Sequence, residues 1–161
     1  MSWEHVVNLA EAGWKVVEEN KPSADLDRST ANAVPEVDDW QALTGTQGPA
    51  RLVWRYRFVN YLGETAVDIQ FDLKWEYAAR YRGGGAFIPN CWLSVPTCDV
   101  HWMFSVDLAL QARNPTNAGT DAAPNARLPI SVYGTVSYGP FWTDNHQWDF
   151  TLYGNGQWEQ H

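Results

Sequence analysis

The sequence has few positive charges, few cysteines and no long apolar segment, and each shortage excludes a class of protein. Of its 161 residues, 11 are Lys or Arg and 19 are Asp or Glu, which gives a net charge of −8. Phosphate backbones are bound by an excess of cations, so this balance argues against nucleic acid as a partner. No apolar run reaches the ~18 residues that a membrane-spanning helix requires.

The two cysteines, Cys91 and Cys98, flank a turn candidate at Pro96 that could bring them together across a hairpin. Two interpretations stay open, a disulfide and the buried thiols of a reducing compartment. Two cysteines without a paired histidine motif do not form a zinc site, and we expect neither a metal nor a cofactor. The N-terminal residues lack a standard secretory signal, which predicts cytoplasmic synthesis and leaves non-classical release open.

Aromatic side chains are what the sequence has in excess, with ten Trp, seven Tyr and six Phe. Such rings bury large areas and favour the boundary between water and apolar surroundings. The enrichment is typical of a β-protein core, a sugar-stacking surface or a membrane interface.

The spacing of the apolar residues predicts a helix followed by strands. Residues 3–19 carry apolar side chains along one helical face, which predicts an amphipathic α-helix. Residues 21–49 show no sustained period and predict an irregular connection with one short strand near 30–34. Beyond residue 50 the period becomes two, as in strands.

Two alternating runs, 51–60 and 65–77, are joined by a short link that contains Gly63, and they predict a β-hairpin. When Asn60 is paired with Thr65, Phe58 lies opposite Val67, and one face of the hairpin is apolar while the other is polar. A slip of one residue would destroy this match. The other apolar pairs of this register are Tyr56 with Ile69, Trp54 with Phe71 and Leu52 with Leu73; on the polar face Arg57 meets Asp68 and Arg51 meets Lys74.

Further alternation occurs in 98–110, 128–138 and 148–158, with a weaker strand at 87–93. Pro129 suggests an edge strand or a bulge, and Gly154 and Gly156 suggest a bulge or bend. We expect one all-β domain over 1–161, in which 50–161 form an antiparallel β-sandwich or partly closed barrel of five to seven long strands. The expected core residues are Trp54, Phe71, Leu73, Trp102, Phe104, Leu108, Phe150 and Leu152.

Two loops carry candidate binding residues. In 79–87, Arg80, Tyr81 and Arg82 stand beside three glycines and could hold an anionic group, although a solvated hairpin tip has the same composition. In 139–146, Trp142 accompanies two hydrogen-bonding side chains, as a sugar site requires. The adjacent rings of Phe141 and Trp142 are also typical of a membrane anchor. Alternatively, Trp142 could fold back on the core. Those hydrogen-bonding side chains are Asp144 and Asn145.

No catalytic signature accompanies these loops. His101 lies near Asp99 and Asp107 on the polar side of its run, and Asp68 with Asp72 forms a carboxylate pair at strand spacing. Alternating acids are ordinary on a wet strand face, and no nucleophile motif accompanies them. In the loop 112–125, Asn117 and Asp121 could bind sugar hydroxyls or calcium, but the loop lacks the dense aspartate spacing of a calcium site and is interpreted as a polar surface loop. We therefore expect a protein that is not an enzyme.

The leading hypothesis is a lectin-like recognition protein that binds glycans or polar lipid head groups, with a membrane surface as one partner. An N-terminal helix before an aromatic-rich sandwich is similar, as architecture, to the actinoporin-like cytolysins, which implies pore formation as the alternative. Fungal fruit-body lectins resemble that sandwich too. No family motif is matched residue by residue, so no site residue is carried over. A self-assembling homo-oligomeric β-protein is the third hypothesis.

Overall fold

The computed structural model describes residues 6–7, 12–17, 21–22, 31–35 and 40–161. The described chain is mostly antiparallel β-sheet, apart from one 3-10 turn at Trp40–Ala42 and the connecting loops, so the all-β prediction is confirmed. The strands are β1 (Val6–Val7), β2 (Ala12–Val17), β3 (Lys21–Pro22), β4 (Ala31–Pro35), β5 (Leu43–Thr44), β6 (Gln47–Val59), β7 (Thr65–Tyr77), β8 (Ala79–Tyr81), β9 (Gly84–Val100), β10 (Phe104–Ala112), β11 (Thr116–Asn117), β12 (Ala126–Tyr138), β13 (Trp142–Tyr153) and β14 (Trp158–Gln160).

The strands form two sheets that bury a common set of side chains. One sheet has the order β1–β4–β9–β7–β6, with β8 beside β9 and β5 beside β8. The other has the order β14–β13–β12–β10–β2–β3, with β11 beside β12. Side chains from both sheets belong to one buried apolar cluster, as alternation along each strand requires. Its largest fully buried members include Trp75, Phe71, Phe87, Phe150 and Ile69.

The β6–β7 hairpin has the predicted register from Phe58 onwards, but Thr65 pairs with Val59 and not with Asn60. Phe58 pairs with Val67, and the ladder continues in step to the pair Leu52 and Leu73. It shifts only at its ends, between Phe58 and Val59 and between Gln47 and Ala50. The polarity of the two faces excludes a slip of one residue, which would expose the apolar set, and the short 60–64 turn limits larger slips.

The three arginines of β6 bind carboxylates of β7. Arg57 binds its direct ladder partner Asp68, as predicted, whereas Arg51 and Arg55 bind diagonal partners. Arg51 faces Lys74 in the ladder but donates from Nε to Asp72, at 2.7 Å. Arg55 donates two hydrogen bonds to Asp68, while Nε of Arg57 lies 3.4 Å from the same carboxylate. The like-charge contact expected between Arg51 and Lys74 is thereby avoided.

The strand predicted over 98–110 is interrupted by a turn. β9 ends at Val100, β10 begins at Phe104, and residues 101–103 connect them. Because the turn has three residues, the apolar alternation stays in phase across it, and the pattern does not reveal the break. Trp102 lies in this turn with 77% of its surface exposed, so its assignment to the core is wrong.

The other expected core residues do face the core. Five are buried, and two are partly buried and pack against the cluster. The buried ones are Phe71, Leu73, Leu108, Phe150 and Leu152; the partly buried ones are Trp54 and Phe104.

The two cysteines lie on one continuous strand, and the hairpin expected at Pro96 is wrong. β9 passes through Pro96, close to a register shift against β7 that accommodates the imino acid. Seven residues of strand separate the two sulfur-bearing side chains by roughly 20 Å, so no disulfide joins them. Burial raises the pKa of the Cys91 thiol above its usual range. Burial, and then the charge of Asp99, raise the pKa of Cys98 to about 11, so both thiols remain protonated at neutral pH.

The helix expected over 3–19 is not confirmed. Of that range the structure describes Val6–Val7 and Ala12–Val17, and both are strands; the remainder lies outside the described residues. The backbone of β2 pairs with β10 so that Trp14 faces Leu108 and Val16 faces Val106. Apolar residues at 14 and 16 fit a strand period as well, and β-branched valines favour it.

Pro129 is neither on an edge strand nor at a bulge. It lies in β12, which pairs with β13 on one side and β10 on the other. Its position is one residue beyond the last β10 pair, Ala112 with Ile130, where the missing N–H breaks no ladder bond. The glycines at 154 and 156 lie in the turn between β13 and β14.

Candidate functional site

Three turns meet at one end of the two sheets, and we call this region the aromatic end. They are residues 60–64 between β6 and β7, 101–103 between β9 and β10, and 139–141 between β12 and β13. Two backbone hydrogen bonds of 2.9 Å hold them in place, from His101 N to Ala66 O and from Gly139 N to Met103 O.

Each of the three turns carries a large apolar side chain into solvent. The exposed fractions are 96% for Tyr61, 77% for Trp102, 73% for Phe141 and 67% for Leu62. None of these turns contains a lysine or an arginine. Scattered apolar residues are normal on protein surfaces, but a group of this kind on adjacent turns is typical of an interaction site.

A chain of ring contacts supports the exposed turns from below. Phe58 lies 4.8 Å from Trp142 and 5.8 Å from Phe104, measured between ring centroids. Tyr138 extends the chain, 4.8 Å from Phe104 and 5.9 Å from Phe141. The side chains of this stack, with residues 60–62, line an open groove. The exposed residues therefore stand on a packed platform.

The structure does not bring the three residues predicted in loop 139–146 to one face of the sheet. Trp142 is the first residue of β13, and Asp144 and Asn145 lie within that strand rather than in a loop. Side chains alternate along a strand, so Asn145 faces away from the other two. There it accepts a hydrogen bond from Thr135 Oγ1, at 2.8 Å.

Asp144 is directed towards a half-buried histidine. Its Oδ2 lies 2.9 Å from Nε2 of His146, in a geometry that is not aligned for a hydrogen bond. The imidazole of His146 stacks on Trp148, with an interplanar angle of 13°, and lies 4.7 Å from the ring of Tyr56. Burial, and then the charge of Asp144, raise the pKa of Tyr56. This carboxylate thus interacts with groups between the sheets.

Arg80, Tyr81 and Arg82 lie at the opposite end of the sheets. β7 has 13 residues, so the two ends are roughly 40 Å apart. Arg80 and Tyr81 belong to β8 and point to opposite faces of it, whereas Arg82 and Gly83, with φ values of 49° and 78°, form the turn into β9. The guanidinium of Arg82 lies over the ring of Tyr81, 5.1 Å from its centroid.

Sequence reasoning missed Tyr61, Leu62 and Trp102 as candidate binding residues. The first two form the short link of the predicted hairpin, where an apolar pair at the tip is itself a signal. Trp102 continued the strand alternation, and nothing in the pattern distinguished it from a core residue.

The other candidate groups of the sequence are engaged in the fold. Asp68 and Asp72 bind the arginines of β6, and His101 is exposed in its turn. Within the described residues, no three His, Cys, Asp or Glu side chains are grouped as metal ligands. No helix in the described part of the chain has the length and apolar character needed to cross a membrane.

The chain matches no protein-family model, no curated protein and no solved structure.

Proposed function

We propose that the protein is a non-enzymatic recognition protein that docks its aromatic end on the polar head-group region of a membrane. The observation that carries the proposal is the grouping of Tyr61, Leu62, Trp102 and Phe141 on three adjacent turns, each more than 60% exposed. Trp and Tyr favour the head-group layer, where the ring is in apolar surroundings and its polar atom stays hydrated.

In this proposal the two sheets form a β-sandwich that holds the turns rigidly. Contacts across the sheets support it: the ring of Trp54 lies 6.0 Å from Phe150, and Phe71 lies 5.5 Å from Trp148. Rigid turns lose little conformational entropy when they bind, which favours docking.

The lipid surface in this proposal need not be anionic. The three turns lack Lys and Arg, and the whole chain has a net charge of −8, so attraction to acidic lipids is weak. Insertion of apolar side chains supplies the free energy instead, at about 1.5–3 kcal/mol for each side chain fully transferred from water. Loss of one such side chain should lower the affinity about tenfold.

This arrangement favours lipid over glycan at the aromatic end. A sugar site needs hydrogen-bonding groups next to an aromatic face, but Asn145 lies on the other side of β13 and Asp144 faces His146. The pore-forming alternative depended on an N-terminal helix, and no observation in the described residues favours it.

The test is co-sedimentation with phosphatidylcholine vesicles, with and without phosphatidylserine, while calcein release is read in the same tubes. We expect the protein to pellet with both vesicle types, with little dependence on salt. Trp102→Ala and Phe141→Ala should each lower the bound fraction, because each removes an inserted ring.

The matched control is Trp92→Ala, since Trp92 lies within β9 on the outer face, away from the turns. It should pellet like the parent protein. Failure of the parent protein to bind, or equal binding by the Trp102 and Phe141 variants, would overturn the proposal. Release of calcein would instead favour the pore-forming hypothesis.

A further inference from the structure

A second groove lies at the end of the sheets opposite the aromatic end. It runs between the 112–125 loop and the β13–β14 hairpin, and its lining includes Asn125, Tyr153, Gln157, Trp158 and Glu159. We call it the polar groove. Trp158 is 47% exposed there. Arg80, Tyr81, Arg82, Trp142, Asp144 and Asn145 do not line it, whereas Asn117 lies in the loop that forms one wall.

The wall formed by the β13–β14 turn is held rigidly. Gly154 donates from its N to Ala126 O, at 2.8 Å, and its own carbonyl accepts from Ala78 N, at 2.7 Å. A Cβ at Gly154 would lie 2.0 Å from Ala86 O, so the backbones are packed directly against each other. Asn155 continues the wall and donates from its N to Asn125 Oδ1, at 3.1 Å.

The facing wall is fixed by one asparagine. Oδ1 of Asn117 accepts hydrogen bonds from Gly119 N and Asn125 N, at 2.8 and 3.0 Å, and its Nδ2 donates to Thr120 O. With both walls fixed, the groove is preformed, and a ligand would not have to order it.

The side chains of the groove combine a ring, a carboxylate and amides. Tyr153 donates its hydroxyl to Glu159 Oε2, at 3.1 Å, and Gln157 adds an amide group that both donates and accepts. Burial and then Glu159 raise the pKa of Tyr153, so its hydroxyl stays protonated and remains a donor at neutral pH. Arg127, the ladder partner of Tyr153, lowers the pKa of the same hydroxyl and so opposes part of this effect.

We propose that the polar groove binds a neutral saccharide. A hexose ring presents an apolar face that stacks on an indole and a rim of hydroxyls that pair with carboxylate and amide groups. The lining of the groove carries one carboxylate, that of Glu159, and no lysine or arginine, so it disfavours an anionic ligand. This proposal goes beyond membrane docking, since it concerns different residues at the other end of the protein.

The test is isothermal titration of the full chain with cellotetraose, maltotetraose and mannotetraose, without vesicles. We expect one of the three to bind with a Kd of roughly millimolar or below, at one site per chain. Trp158→Ala should weaken that binding at least fivefold, and Glu159→Ala should weaken it as well. Glu159→Gln should retain most of the affinity, because it keeps an acceptor while removing the charge.

Two controls keep the outcome interpretable. Trp92→Ala removes a tryptophan from the outer face of β9 and should bind like the parent, and thermal unfolding of each variant shows whether it folds. If Trp158→Ala does not fold, Gln157→Ala replaces it as the test variant, because Gln157 is an exposed residue of the same groove. The proposal is overturned if none of the three sugars binds at 10 mM (about ten times the expected Kd), or if binding survives Trp158→Ala. It is also overturned if tetragalacturonate binds equally well. None of these results bears on vesicle binding.

Discussion

The two ends of the sheets are closed by turns of opposite character. At the aromatic end the turns carry large apolar side chains that touch little of the protein, and the backbone there has room. At the other end, the 112–125 loop and the β13–β14 turn carry asparagines and glycines whose atoms are engaged in hydrogen bonds or close backbone contacts. The asparagines and glycines of the second end stabilise the fold, whereas the exposed apolar side chains of the aromatic end make few contacts that could stabilise it.

The glycines show this contrast most directly. Gly63 in the 60–64 turn has a φ of +80°, and no atom lies within 4 Å of where its Cβ would be. Gly154 has an ordinary φ, but its Cβ position is 2.0 Å from a backbone oxygen. The first glycine is required by its conformation alone, and the second by the packing of two chain segments.

The largest expected effect follows from that contrast. Gly154→Ala should destabilise the protein by more than about 3 kcal/mol, because its methyl group meets backbone rather than a movable side chain. Gly63→Ala should cost only about 1–2 kcal/mol, the cost of a left-handed conformation for alanine. Urea unfolding of the two variants measures both. Equal losses would show that the two ends do not differ in packing.

The second prediction compares two tryptophans of the aromatic end. Trp142 is 36% exposed and packs on Phe58, so Trp142→Ala should cost about 2 kcal/mol of unfolding free energy. Trp102 is 77% exposed, and Trp102→Ala should change it by less than about 0.5 kcal/mol. Thermal and urea unfolding provide the values. A large loss in the Trp102 variant would mean that this residue serves the fold and would remove it from the docking surface.

The same two tryptophans show how far the sequence determines the structure. The register of β6 and β7 could be predicted from Phe58 to Leu52, because pairing Phe58 with Val67 keeps one face apolar across a short link. The turn at 101–103 could not be predicted. Because it contains three residues, Val100 and Phe104 stay on the same side of the alternating pattern, and the pattern looks unbroken. Alternation reports which face a residue occupies in a strand, but not whether the strand continues.

The candidate sites were harder to predict because they depend on which turns meet. Arg80 and Trp142 look equally suited to binding in the sequence, yet the topology places them at opposite ends. Tyr61, Trp102 and Phe141 are each ordinary alone, and only the strand order brings them together. In residues 12–17, Trp14 shares a helical face with Val17 but a strand face with Val16, and pairing of this segment with β10 decides between the two.

The smallest expected effect concerns two aspartates on the outer faces of the sheets. Asp68, nearer the aromatic end, has its pKa lowered chiefly by hydrogen bonds from Arg55, with Arg57 adding to the effect. Asp149, nearer the other end, has its pKa lowered chiefly by hydrogen bonds from Ser131 and Gln147. Since the folded-state pKa lies below the unfolded one in both cases, each charge stabilises the fold above the usual carboxylate range. That contribution is lost as the pH falls through the lowered pKa.

Asp68→Asn and Asp149→Asn should therefore each lower stability at pH 7, by about 1 kcal/mol for Asp149, and the loss should shrink in acid. Salt distinguishes the two, because it screens an exposed ion pair but not hydrogen bonds from neutral donors. In 1 M NaCl the effect of Asp68→Asn should diminish while that of Asp149→Asn largely persists. Thermal unfolding of both variants and the parent protein at pH 3 and pH 7, with and without 1 M NaCl, measures these effects. If both effects vanished in salt, the hydrogen bonds of Ser131 and Gln147 would not be what holds the charge of Asp149.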